Sequence, residues 1–262
     1  ASSMGGSQIW LDTREELTVD EMLKAICVVS ANDCTVAMAE HIAGSEELFV
    51  EKMNERAKEL GMNDTTFKNC HGIDEDGHET SSYDISIMSR ELLRNHPDIT
   101  KYTTIWMDSL RDGKSELVNT NKLIRNYQGA TGLKTGSTSL ALFNLSASAT
   151  RDDLSLIAVV MRAASTKERF ICAKKLLDYG FSTYQYKKFA DKDTEVMSVP
   201  VNKGVVPDVT VKYADSTGKV MNKKNTGDVE QEVVLNENIS APIDEGQVLG
   251  RVNFRIDGEE VA

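Results

Sequence analysis

The spacing of apolar residues changes twice along this chain, and those changes constrain the fold more than any other feature. Up to about residue 97 apolar side chains recur every three or four positions between capping signals, the pattern of amphipathic helices. Thr18-Val19-Asp20-Glu21 has the form of a capping box and precedes Met22, Leu23, Ile26 and Val29 on one face, which predicts a helix ending near Ser30. A second helix is predicted over residues 33–41, with Gly44 as its stop. A third, between Ser45 and Gly61, carries Phe49, Met53, Ala57 and Leu60, and a fourth opens at Ser81 and ends at Pro97.

The middle of the chain shifts towards the two-residue period of strands. Residues 106–110 and 115–118 flank Arg111-Asp112-Gly113-Lys114, a hairpin signal because Asp-Gly tolerates the positive φ of a tight turn. Phe143, Leu145, Ala147 and Ala149 alternate with their neighbours, Arg151-Asp152-Asp153 turns the chain, and residues 154–160 form an apolar strand. Ser165 then caps a helix predicted to reach Gly180. Helices, an antiparallel sheet and a closing helix make an α+β layered domain. From about Tyr184 the helical period disappears, three of the four prolines occur (Pro200, Pro207 and Pro242), and short valine-rich runs alternate with turns. Val252, Phe254 and Ile256 share one face of the last strand. The expected division is therefore an α+β domain over residues 1–183 and a small all-β, sandwich-like domain over residues 184–262.

Charge narrows the range of partners. A formal charge of −11 and a pI near 4.9 repel phosphate backbones and anionic lipid surfaces, so nucleic acid is not an expected partner. No run of about 18 apolar residues occurs, and residues 1–6 lack the basic and apolar regions of a signal peptide, which leaves a cytosolic protein or one whose leader has been removed. Cys27, Cys34, Cys70 and Cys172 lack C-x-x-C spacing and read as buried free thiols. His71 and His78 bracket Asp74 and Asp76, but without a full ligand set this stretch reads as a Gly-rich polar loop; no metal or organic cofactor is expected.

Two short motifs carry chemistry. Ser30-Ala31-Asn32 falls at the end of the first predicted helix, where a loop tip presents both polar side chains. Lys134-Thr135-Gly136, followed by Ser137-Thr138, begins the strand region. Either triplet alone is weak, because an exposed lysine at a strand start needs no functional explanation.

Taken together and in this order, the triplets resemble the S-x-N and K-T-G motifs of the penicillin-binding protein and serine β-lactamase superfamily. The likeness extends through residues 30–44, 59–67, 71–84, 119–123, 132–136 and 174–180 to the low-molecular-mass D-alanyl-D-alanine carboxypeptidases, and the tail is similar to that family's C-terminal domain. The resemblance implies a β-lactamase/DD-peptidase-like fold for the α+β domain, and acyl transfer from a peptidoglycan stem peptide ending in D-Ala-D-Ala, or from a β-lactam, to an active-site serine. It implies that Ser30 relays a proton to the departing amine, that Asn32 orients the substrate backbone, and that Lys134 supplies positive field. Thr135 and Thr138 become candidate donors to the substrate carboxylate, Gly136 an open strand edge, and the Ser137 N–H half of an oxyanion hole. Arg162 is a substitute for a basic residue that aligns near Ala164 in some members.

The family's first motif, S-x-x-K, should precede S-x-N, yet its one match is Ser216-Thr217-Gly218-Lys219, in the tail, where Ser-Thr-Gly reads as a hairpin turn. The order implies a chain that begins just after the nucleophile-bearing helix, with the missing N-terminal fragment as a further expected partner. The resemblance also implies work outside the cytoplasmic membrane, attached to it or secreted. The rival readings are a non-catalytic wall-binding module and a class A-like β-lactamase.

Overall fold

The computed structural model describes residues 4–225 and 227–262. They fall into two compact units, one built from the chain up to residue 151 together with 155–180, the other from 152–154 and 181–262.

In the first unit the local signals act where the sequence places them. Helix α1 (Val19–Val29) has its full capping box: Thr18 Oγ1 accepts from Glu21 N, and Glu21 answers Thr18 N at 2.8 Å. The helix stops at Ser30, which takes a left-handed conformation (φ 64°, ψ 40°). Such a conformation costs a residue with a Cβ about 1–2 kcal/mol, so serine at a position suited to glycine points to a use for its hydroxyl. Helix α2 (Asn32–Ala43) begins two residues later and ends at Gly44 with φ 89°. Asn32 is thus the first residue of a helix. Helix α3 (Glu46–Glu59) is capped by Ser45 and α4 (Ser82–Asn95) by Ser81. Ile9, Met22, Ala25, Val28, Ala31, Cys34, Leu110 and Leu117 form one buried cluster that packs α1 and α2 against the hairpin of β1 (Met107–Leu110) and β2 (Ser115–Val118).

A short 3₁₀ turn (Pro97–Ile99), α5 (Thr100–Thr103) and α6 (Leu123–Asn126) had no periodic signal, being too short to show one. Strands β3 (Ala130–Thr138), β4 (Leu142–Arg151) and β5 (Leu154–Ala163) form a sheet in that order, with β3 antiparallel to β4, and α7 (Thr166–Thr183) follows. The alternation along β4 does not mark a solvated face. Residues 145–149 are all buried: α4 reaches the strand at Ser146, whose hydroxyl lies 2.7 Å from that of Ser89, and Ser148 bonds Thr131 of the neighbouring strand at 2.8 Å. Small hydroxyls that satisfy one another let the second face be covered too.

The second unit is all β: β6 (Tyr184–Ala190) pairs with β9 (Thr217–Asn222), β7 (Glu195–Pro200) with β8 (Asp208–Lys212), and β10 (Val229–Leu235), β11 (Gly250–Ile256) and β12 (Glu259–Glu260) form a third antiparallel sheet. Phe254 on β11 stacks on Phe189 at 5.4 Å and lies 6.1 Å from Tyr213. The reading of Ser216-Thr217-Gly218-Lys219 as a hairpin turn is corrected: Thr217 to Lys219 open β9 and pair with β6, while Ser216 Oγ accepts from Lys192 N at 2.9 Å. An extended strand does not bring Ser and Lys at i and i+3 onto one face. The four cysteines are free, with Cys27 and Cys34 buried and Cys70 partly so, but Cys172 is exposed on α7, against the expectation of burial.

Candidate active site

Two buried asparagines build the wall behind the site. Asn119 donates to the carbonyls of Ile105 (2.7 Å) and Thr103 (3.3 Å) and accepts from Asn121 N, while Asn121 donates to Gly132 O at 3.0 Å. Side-chain amides here take the place of ladder partners for irregular backbone, which a core cannot leave unsatisfied. Thr120 lies between them and its N–H donates to Val28 O, tying this loop to the last turn of α1. The same wall holds β3 beside the corner between α1 and α2.

Ser30 and Lys134 meet across that junction. Lys134 Nζ donates to Ser30 Oγ at 2.7 Å and to Thr135 O at 2.9 Å. Burial pushes the Lys134 ammonium down to about 8; the nearby Cys27 thiol opposes the shift and the Arg169 charge adds to it. A lysine with that pKa is mostly charged at neutral pH, yet close enough to its neutral form to take a proton from Ser30.

Thr135 is 7% exposed, and its hydroxyl lies 2.7 Å from that of Thr120. Two hydroxyls in one hydrogen bond use one of their two hydrogens, so the pair keeps one to donate to an anion. Gly136 and Ser137 are exposed near the end of β3, an edge strand of its sheet. A Cβ added to Gly136 would meet nothing within 4 Å. Packing inside the protein therefore does not require glycine there, and the free edge is open for an extended peptide to pair with it. Thr138 faces the turn instead, where its Oγ1 accepts from Ala141 N at 2.9 Å.

Asn32 sits beside the corner but is engaged from the other direction. Its Nδ2 donates to Gly5 O at 2.9 Å and its N–H to Ser7 O at 2.8 Å, so residues 5–7 hold it in place. Asp33, fully buried, fixes the same segment by accepting from Ile9 N and Leu11 N. Of the expected site residues, Ser30, Lys134 and Thr135 form one contiguous set, and Asn32 joins it through the chain at Ser30.

Sequence reasoning gave no site role to three residues here. Thr120 offered only its place between two asparagines. Arg169 of α7 carried no sequence signal; it is 7% exposed and its Nη1 donates to Gly136 O (3.1 Å) and Asn144 O (3.2 Å), with the Phe170 and Phe143 rings beside it. Its buried Nε has no partner among the described residues. Arg162, the expected substitute cation, is exposed, with its backbone N–H on Asn144 Oδ1. Asp74, in the polar loop, reaches the far end of the β3–β4 hairpin. The histidines of that loop are structural neighbours: His71 Nε2 lies 3.4 Å from Glu46, and His78 Nδ1 accepts from Lys68 N.

A lysine on an open strand edge, bonded to the serine of a Ser-x-Asn helix corner, defines the class of penicillin-recognising active-site serine proteins. The comparisons with known proteins narrow this. Residues 1–165 match the family described as D-alanyl-D-alanine carboxypeptidase, and residues 184–262 match the penicillin-binding protein 5 C-terminal domain. The chain belongs to the D-alanyl-D-alanine carboxypeptidase family. It is 46% identical to D-alanyl-D-alanine carboxypeptidase DacF of Bacillus subtilis, over 100% of this chain and 68% of that protein. It is 32% identical to DacA of Haemophilus influenzae, over 98% of this chain and 65% of the relative, so it spans about two thirds of the curated relatives it matches. Among solved structures, penicillin-binding protein 5 from H. influenzae aligns with TM-score 0.73 and 32% identity over 98% of this chain and 75% of that one. Penicillin-binding protein D2 from Listeria monocytogenes in its ampicillin-bound form aligns with TM-score 0.62 and 30% identity, over 68% of this chain and 74% of that one.

Proposed function

We propose that these residues form the substrate-gripping part of a serine D-alanyl-D-alanine carboxypeptidase that removes the terminal D-alanine of peptidoglycan stem peptides and is acylated by β-lactams. The observation that carries the reading is the 2.7 Å bond between Lys134 and Ser30 at an open strand edge. In this reading the stem peptide pairs with β3 at Gly136, Asn32 orients its backbone, and its carboxylate takes the spare hydrogen of the Thr120–Thr135 pair in the field of Lys134. The nucleophilic serine attacks the carbonyl between the last two residues. Ser30 and Lys134 then carry a proton to the leaving D-alanine amine, and the Ser137 N–H supplies half of the oxyanion hole.

The one S-x-x-K of the sequence, Ser216–Lys219, lies on a strand, so we assign the nucleophile and its lysine to a further, N-terminal segment. That segment, joined or as a separate fragment, is the proposed partner of this surface. We further assign catalysis to residues 1–183 and an accessory role to residues 184–262, with the protein acting outside the cytoplasm, at the membrane or secreted. No described helix is long and apolar enough to cross a membrane.

The test is acylation of the full-length protein by a fluorescent penicillin, read by intact mass, with release of D-alanine from an acyl-D-Ala-D-Ala peptide in parallel. A covalent adduct with peptide hydrolysis supports the reading; neither, on a protein carrying the S-x-x-K segment, rejects it.

A further inference from the structure

The polar loop between Asn69 and His78 is more ordered than its composition suggests. Thr66 and Glu79 close its base with two backbone bonds of 2.9 and 3.1 Å. Inside it, Asn69 accepts from Gly72 N at 2.8 Å and donates to Ile73 O and Glu75, both at 3.0 Å. Asn54 of α3 brackets Phe67 with two further bonds of 2.8 Å. A loop secured in this way can carry load at its tip, and the tip residue that leaves it is Asp74. Its Oδ2 accepts from Ser139 Oγ and from Leu140 N, each at 3.2 Å, on the turn joining β3 to β4.

That turn needs an external anchor. Beyond Gly136 the edge strand β3 pairs with β4 alone among the described strands, and hairpin ends are where such pairs fray. We propose that Asp74 is a positioning residue for the substrate-binding edge, holding the turn at Thr138–Leu140 so that Gly136 and Ser137 are presented to the peptide in a fixed place. This rests on the carboxypeptidase reading above. The Thr138 hydroxyl belongs to the same device: its oxygen accepts from Ala141 N at 2.9 Å, and it is the neighbour that most lowers the Asp74 carboxyl. Thr138 thereby serves the turn, and the Thr120–Thr135 pair is left to meet the substrate carboxylate. The Asp74 carboxyl is held below its usual range chiefly by Thr138 and then by Leu140 N and Ser139, so the latch stays ionised throughout neutral and mildly acidic pH.

The experiment uses the full-length protein with Asp74→Ala and Asp74→Asn, the second keeping an acceptor for Leu140 N where the first is poorly folded. Three readouts are taken: acylation by benzylpenicillin resolved into its binding and chemical steps, the same with Thr138→Val alone and combined with Asp74→Ala, and amide hydrogen exchange over residues 136–141. The expected result is a roughly tenfold loss of acylation efficiency, mainly in the binding step, with exchange at 136–141 accelerated and the double variant no worse than Asp74→Ala. Unchanged exchange at 136–141, or wild-type acylation by both Asp74 variants, overturns the proposal. Wild-type protein that forms no adduct defeats the carboxypeptidase reading instead, and exchange then decides the latch by itself.

Discussion

The two units of this protein bury different things. Every buried polar side chain among the described residues belongs to the first, from Asn32 and Asp33 through Asn119, Asn121 and Thr135 to Arg169. The second buries only apolar side chains among the described residues: Leu154, Phe181, Ala190, Val199, Met221, Leu249, Phe254 and Ile256. Burying a polar group costs stability unless each donor and acceptor is met, so a region that repeats this has a use for fixed dipoles and charges. The second unit follows the cheaper rule of covering apolar surface between small sheets. The contrast teaches where chemistry resides: in the unit that accepts an expensive interior.

The comparison predicts unequal responses to substitution. In the full-length protein, Lys134→Ala should slow acylation by penicillin about 10²- to 10³-fold, by removing both the charge at the strand edge and the partner of Ser30. Stopped-flow acylation checks this, and a loss of under threefold would break the contrast at its centre. Phe254→Ala should do the reverse, lowering the stability of the all-β unit by about 3 kcal/mol through lost packing with Phe189 and Tyr213 while acylation stays at the wild-type rate. Calorimetry with a parallel acylation assay tests it.

A smaller effect sharpens the account of the site. Thr120→Val removes one member of the hydroxyl pair and should weaken capture of a carboxylate-bearing peptide about five- to tenfold, with less effect on a substrate whose terminal carboxylate is amidated. Equal losses on both substrates would show that the pair serves packing alone. The smallest effect is a matter of pH. Lys134 in the folded chain should titrate near 8, seen by nitrogen-15 NMR of its Nζ. Its unfolded value is higher, near 10.5, so the unfolded chain binds more protons between the two, and this group's contribution to stability improves as pH rises from about 8 to 10.5. A midpoint near 10.5 would mean that the ammonium is fully hydrated.

Much of the fold was legible because its signals are local. The Thr18 capping box, the stops at Gly44 and Gly61, and the Asp-Gly turn each act within a few residues, and α1, α2, α3 and the β1–β2 hairpin fall where these place them. Ser216-Thr217-Gly218-Lys219 misled for the same reason: a local turn preference lost to pairing with β6, where Gly218 faces Lys188, 30 residues earlier (218 − 188). On β4 the alternation was real, but only the tertiary contact with Ser89 of α4 could say that the face bearing Ser146 is covered.

What the sequence determined alone was the order of elements, the class of each, and two short motifs whose residue types suit acyl transfer. What the tertiary structure decided was company: that Lys134 rests on Ser30 104 residues away, that Arg169 supports Gly136 from a buried position, and that Asp74 crosses to the turn after β3. The physical reason is that helix caps and turns are satisfied by near neighbours in the chain, whereas the partner of a buried charge or an edge-strand turn is fixed only when distant segments close on one another.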